Sequence, residues 1–244
     1  MCETCGCGDP DLVPLEVHES LLAGNDHVAG HNREHFAARG LLALNLMGSP
    51  GSGKTAVLEA TAGRLSDSGM KVGALSGDLA TDRDARRLAA AGLRSLSITT
   101  GSACHLDAQR VHRALHELPD DGLDLLFIEN VGNLVCPAVY DLGQAANVVA
   151  LSVTEGDDKP LKYPVMFRKA DLVLLTKVDL LPHLPQVSVA AIEEALARVM
   201  PEPAMIRFSA LTGEGLGEWI TWLETRRRAA ERERAAALPG RERP

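Results

Sequence analysis

Apolar residues recur along this chain in two alternating rhythms. Short, nearly continuous Leu/Val/Ile/Ala runs are separated by longer segments of helical period. The runs Leu41–Met47, Lys71–Ser76, Leu96–Thr99, Leu123–Glu129, Val148–Val153, Leu172–Thr176 and Met205–Phe208 read as strands. Between them, Thr55–Leu65, Asp82–Ala91, Leu106–Leu118 and Ser188–Val199 read as helices, and another begins near Glu214. Runs this uniformly apolar suit strands covered on both faces, and helical crossovers suit parallel neighbours. The expectation is an α/β fold: a mainly parallel sheet with helices on both faces.

The ends differ from this rhythm. Residues 1–15 are rich in Cys, Gly, Asp and Pro and show no period, so a flexible tail is expected there. Residues 16–39 look helical and Gly40 stops them. The alternating domain then fills 40–224, and 225–244 reads as a charged extension. Arg226–Arg228 are followed by Glu231, Glu233 and Glu242, the pattern of a solvated helix end.

Composition narrows the function. With 244 residues there is room for one such domain plus tails. The net charge is −8, which speaks against a nucleic-acid surface. No segment reaches the roughly 18 apolar residues of a membrane span. Met1-Cys2-Glu3-Thr4-Cys5 does not resemble a signal peptide. The expected compartment is the cytoplasm, where five cysteines are ligands or free thiols rather than disulfides.

Gly48-Ser49-Pro50-Gly51-Ser52-Gly53-Lys54-Thr55 fits G-x-x-x-x-G-K-[ST] between an expected strand and an expected helix, so the expected fold is of P-loop NTPase type. Gly48, Gly51, Ser52 and Gly53 let backbone amides curl around phosphates. Lys54 offsets β/γ-phosphate charge, and Thr55 offers a hydroxyl to Mg²⁺. Asp78 and Glu129, each at a strand end, are candidates for the rest of the magnesium shell and for catalysis. Glu129 stands where most GTPases carry Asp. Direct ligation, ligation through water, and orientation of the attacking water are all open for it, with a capping carboxylate as the structural alternative. Asp82, in a possible switch loop, is equally plausible as an N-cap.

Thr176-Lys177-Val178-Asp179 resembles the N/T-K-x-D base motif. Asp179 would accept from guanine N1–H and the 2-amino group, and Lys177 would pack over the base. Ser209-Ala210 resembles the S-A loop that completes a guanine site. Together they favour GTP over ATP.

Cys2, Cys5 and Cys7 form C-x-x-C-x-C, three thiolates able to wrap one soft or borderline ion. Their spacing does not separate Ni from Zn or Cu(I). Cys104-His105 precede a helix, and Cys136 follows Glu129 by seven residues. If those loops meet, they make an S₂N set near the nucleotide; on pattern alone, such cysteines are as readily buried small hydrophobes. His27, His31 and His35 recur at i, i+4, i+8 and read as a polar helix face.

These segments together, with Ala103-Cys104-His105-Leu106-Asp107-Ala108, Phe127–Pro137 and Ser152–Pro164, resemble the HypB family of hydrogenase nickel-incorporation GTPases over about residues 1–223. The resemblance implies a GTP-hydrolysing metallochaperone that inserts nickel into [NiFe]-hydrogenase. It implies tight Ni²⁺ binding at Cys2/Cys5/Cys7 and a weaker Ni²⁺ or Zn²⁺ site at Cys104/His105/Cys136. It implies GTP/GDP and Mg²⁺ as ligands, and a homodimer in the GTP- and metal-bound state. The implied partners are a HypA-type nickel/zinc accessory protein and the hydrogenase large-subunit precursor, with neither nucleic acid nor membrane. Lys159 falls in a segment that reaches the nucleotide in that family. Many members carry a histidine-rich stretch after the cysteine motif, which is missing here. A urease-serving relative would not be expected to carry both cysteine segments, and a metal-sequestering protein would not need the intact Lys54 and Thr55.

Overall fold

The structure is a computed structural model; it describes residues 15–78, 81–101, 103–118 and 122–237. Its elements run α1 (Leu15–Arg39), β1 (Leu42–Met47), α2 (Lys54–Leu65), β2 (Val72–Asp78), α3 (Arg83–Ala90), β3 (Arg94–Thr99), α4 (Ala108–Glu117), β4 (Leu125–Glu129) and β5 (Ala146–Ser152). They continue with two short helices, α5 (Lys159–Lys162) and α6 (Pro164–Arg168), then β6 (Leu172–Thr176), α7 (Val189–Val199), β7 (Met205–Phe208) and α8 (Leu216–Ala237).

All seven strands pair in parallel, in the order β3-β2-β4-β1-β5-β6-β7. The α/β reading therefore holds. Every residue of β1, β4 and β6 is buried, as their uninterrupted apolar runs require. One face packs Leu44, Leu46, Leu58, Phe127 and Trp219 together; the other splits into a cluster around Leu75, Leu106 and Ile128 and one around Val149, Phe167 and Leu175. No helix among the described residues is long and apolar enough to cross a membrane.

The expected boundary after Glu224 falls inside α8, which continues without a break. Arg226 is not simply solvated: it pairs with Asp171 at 3.1 Å and lies over the Trp222 ring. Farther up the helix, Trp219 is fully buried and donates through Nε1 to Thr61 Oγ1 of α2 at 2.8 Å. An indole N–H in a dry core needs such a partner.

Candidate functional site

In a parallel sheet the loops after the strands gather at one edge, and this order puts those of β1, β4, β2, β5 and β6 side by side. Leu46 of β1 pairs with Glu129 of β4, and Ser76 of β2 pairs with Glu129 from the other side. The residues expected to hold phosphate and magnesium therefore meet. A cleft of about 370 Å³ is lined by Gly51, Gly53, Lys54, Thr55, Asp78 and Glu129, among others.

Thr55 Oγ1 donates to Glu129 Oε1 at 2.7 Å, and Ser76 Oγ lies 3.4 Å from Oε2. Burial raises the Glu129 pKa above the usual carboxylate range; the Thr55 hydrogen bond and the Lys54 charge oppose that rise. Burial in turn lowers the Lys54 pKa, against the pull of Glu129. Lys54 Nζ donates to the Gly48 and Ser49 carbonyls at 3.2 and 3.0 Å. Hydroxyl and carboxylate oxygens converging beside a phosphate loop are the hard donors Mg²⁺ takes.

The base-side motifs are tied to the same loop. Thr176 Oγ1 donates to the Ser52 carbonyl at 2.6 Å and Lys177 Nζ to that of Gly51 at 2.7 Å. Lys177 is the only non-glycine among the described residues at positive φ, 60°, a left-handed turn that reaches the loop at a modest conformational cost. Ser209 Oγ donates to Asp179 Oδ1 at 2.5 Å, which joins the T-K-x-D and S-A segments. Thr176 thus has a structural task of its own, although Asn is the commoner residue there. Ala210 follows the buried Ser209 and is itself exposed.

Two further expected positions lie at helix starts. Lys159 opens α5 and holds its ammonium 5.1 Å from the Tyr163 ring centroid. Asp82 occupies the N-cap of α3 without capping through its side chain, which instead takes Arg86 at 2.5 Å.

The three G-domain metal candidates come together. Cys104 Sγ lies 2.9 Å from Cys136 Sγ and 3.8 Å from His105 Nδ1, and one ligand atom from each of the three fits within a 4.8 Å span. Among the described residues this is the only such cluster of three. The two sulfurs are not joined as a disulfide. His105 stacks on Tyr140 with ring centroids 3.8 Å apart, and burial pulls its pKa down to about 4. It is therefore neutral at neutral pH, the form that ligates a metal. Cys2, Cys5 and Cys7 lie outside the described residues.

Asn130 joins the two sites, and sequence reading passed over it. Its Oδ1 accepts from the Leu106 amide at 3.1 Å and from its own neighbour Val131 at 3.0 Å. Its Nδ2 donates to Asn45 Oδ1 of β1 at 3.1 Å. The residue directly after Glu129 thus grips the residue directly after His105. The Leu106 side chain also sits on Gly77, where an added Cβ would come within 2.9 Å of it. Gly132 lies so close to Pro50 of the phosphate loop that a Cβ there would meet it at 2.9 Å.

Residues 42–207 match the family described as CobW/HypB/UreG, nucleotide-binding domain. A protein of Azotobacter chroococcum called hydrogenase maturation factor HypB is 51% identical over 226 residues, 92% of this chain and 73% of its own length. The Escherichia coli K12 protein of the same name is 51% identical over 216 residues, 87% of this chain and 73% of its own.

This chain belongs to the HypB family.

Its fold is that of HypB structures too. The Helicobacter pylori HypB crystal structure in complex with nickel superimposes with a TM-score of 0.80 at 41% identity, covering 84% of this chain and 96% of that one. Archaeoglobus fulgidus HypB gives 0.77 at 40%, covering 84% and 98%. Sequence reading of this HypB-family chain missed Ser76, Asp84, Arg87 and Glu155 beside the nucleotide loop. Asp84 and Arg87 line the cleft from α3, and Arg87 is held by Glu59 at 3.0 and 2.7 Å. Glu155 takes the Ser49 hydroxyl at 2.5 Å. Asp84 and Arg87, at i and i+3 just after Asp78, offered the one readable signal: two charges on the helix face that turns toward a strand end.

Proposed function

We propose that this chain is a GTP-hydrolysing nickel metallochaperone that assists GTP-dependent insertion of nickel into [NiFe]-hydrogenase. The observation that carries the reading is the Asn130 junction. It bolts Glu129, beside the phosphate loop, to the segment holding Cys104 and His105.

In this scheme Lys54 and the amides of the glycine loop hold the β- and γ-phosphates of GTP. Asp179, backed by Ser209 and flanked by Ala210 and Lys177, reads the guanine. Thr55, Asp78 and Glu129 supply the oxygen donors for Mg²⁺, which when bound offsets charge on the phosphates. Glu129 either ligates it or orients the attacking water. Nickel is the cargo, taken by Cys2, Cys5 and Cys7 and by Cys104, His105 and Cys136, the second set able to take Zn²⁺ as well.

Movement of Glu129 or Asp78 on gaining or losing the γ-phosphate is transmitted through Asn130 and Gly77 to Leu106, and so to the metal ligands. This is an order/disorder switch with reciprocal coupling. The names of the relatives, hydrogenase maturation factors and a nickel-bound HypB, support nickel and hydrogenase as cargo and client. A homodimer in the GTP- and metal-bound form, a HypA-type accessory protein and a hydrogenase large-subunit precursor complete the proposal. Val135, next to Cys136, is 51% exposed, an apolar side chain on the face such a partner would cover. A chain with tail 1–15, helical segment 16–39, G domain 40–224 and extension 225–244, working in the cytoplasm, fits this role.

The test is calorimetric. Nickel is titrated into the full chain carrying Cys2→Ala, Cys5→Ala and Cys7→Ala, with and without a non-hydrolysable GTP analogue, and the analogue is titrated with and without nickel. The two ratios should agree and fall in the roughly 5- to 150-fold range of coupled sites. GTP turnover should vanish in Lys54→Ala. Fully independent binding would remove the basis of the scheme.

A further inference from the structure

The helical face at His27, His31 and His35 does not end with α1. His35 comes to lie against α4, whose His112 and His116 stand one turn apart. Ring centroids are 5.8 Å apart for His35 and His116, 6.5 Å for His35 and His112, and 4.8 Å for His112 and His116. Along α1 the row continues, His27 meeting His31 at 4.7 Å. Three of the eight histidines of the chain, His35, His112 and His116, thus share one helix–helix seam.

The seam also fixes a tautomer. Asn32 is fully buried, and its Nδ2 donates to the Ala108 and Leu142 carbonyls at 2.9 and 3.1 Å. Two carbonyl partners identify that atom as the amide nitrogen, so Oδ1 is the atom left facing His112. It lies 2.9 Å from His112 Nδ1. His112 Nδ1 therefore carries the proton and, in the neutral ring, Nε2 carries the lone pair. A ring locked by a hydrogen bond on one nitrogen, with its other nitrogen directed outward, is the arrangement metal-ligating histidines adopt. The outward Nε2 lies 3.3 Å from Nε2 of His116. Two imidazole nitrogens bound to one ion at about 2.0–2.1 Å with a tetrahedral angle would stand about 3.3 Å apart. The distance matches, a bound ion taking the place of the proton shared between the two rings, and i, i+4 on a helix is a spacing that serves for metal binding.

We propose that His112 and His116 form a further divalent-metal site of two protein donors, with solvent completing the shell and the His35 ring alongside it across the seam. Its all-imidazole character suits Ni²⁺, Zn²⁺ or Cu²⁺ and excludes the hard cations that the nucleotide cleft takes. It is distinct from the thiolate site: α4 carries His112 and His116 about 6 and about 12 Å along its axis from Ala108, which follows the Cys104/His105 loop. His116 is exposed and His112 partly so, which leaves an entry path. The site stands whether or not the GTP-coupled reading is right.

The experiment uses the full chain, ¹⁵N-labelled, with zinc alone as a diamagnetic probe and long-range imidazole ¹H–¹⁵N spectra as the readout. Once the cysteine sites are saturated, one further equivalent should shift Nε2 of His112 and His116 together. His116→Asn and His112→Gln should each weaken that event at least about tenfold, with the His105 signals unchanged as a control on the fold. Rings that do not shift at millimolar zinc, or a His112 shift of undiminished affinity in His116→Asn, would overturn the site and leave an ordinary histidine–histidine hydrogen bond.

Discussion

Replacing Asp179 by Asn should exchange guanine for xanthine, and the neighbouring serine says why. Ser209 is fully buried, and its Oγ receives the amides of Leu211 and Thr212 at 3.2 and 3.1 Å. With its lone pairs so occupied, the hydroxyl must spend its proton on Asp179 Oδ1, 2.5 Å away. An asparagine in that position has to turn its carbonyl toward Ser209, because an NH₂ there would oppose the O–H donor. The amide nitrogen is then left to face the base. Guanine offers N1–H and a 2-amino group, two donors, so the carboxylate fits it and the amide opposes it. Xanthine carries an acceptor oxygen in place of the amine and fits the amide. Hydrogen bonds to a charged group are worth about 1.5–3 kcal/mol each. Losing that benefit at the 2-position and meeting a second donor should cost GTP about 3 kcal/mol, on the order of a hundredfold in affinity. Competition of GTP and XTP against a fluorescent GDP analogue, in wild type and Asp179→Asn, measures both preferences. The reasoning fails if the variant still prefers GTP, or if it loses both nucleotides alike while remaining folded.

Two further predictions concern stability. Thr61→Val keeps the side-chain shape but strips the fully buried Trp219 indole of its acceptor; urea unfolding should show a loss of about 1–3 kcal/mol that largely disappears when the same substitution is made in a Trp219→Phe background, whereas a change below about 0.5 kcal/mol in the wild-type background would contradict the account. In the metal-free chain, the His105 pKa of about 4 lies below its ordinary 6.5, so the folded state binds fewer protons than the unfolded one. Its contribution is therefore fully present above pH 6.5 and is lost as pH falls from there toward 4, by at most about 3 kcal/mol. His105→Asn should flatten that limb of the pH–stability curve, and an unchanged limb would assign it to other groups.

The strands, the phosphate loop, and the order of Lys54, Glu129, Asp179 and Ser209 along the chain could be read because each is a local matter. A strand buried on both faces must be apolar throughout, and a loop that wraps phosphate must place glycines and a lysine within eight residues. Cys104 and Cys136 are 32 residues apart, and nothing local required them to meet. They meet because β3 and β4, whose ends precede them, both deliver their chain to one edge of the sheet, with β2 between. Asn130 offered no pattern, since an amide that bridges two loops looks like any polar residue until both loops are placed. His35 looked like one more solvated side chain until α4 was laid beside α1. Periodicity and motif report what a segment does with its own backbone and immediate neighbours. Which distant side chains share a few ångströms of space is set by strand order and helix docking, and those follow from burying the whole apolar surface at once.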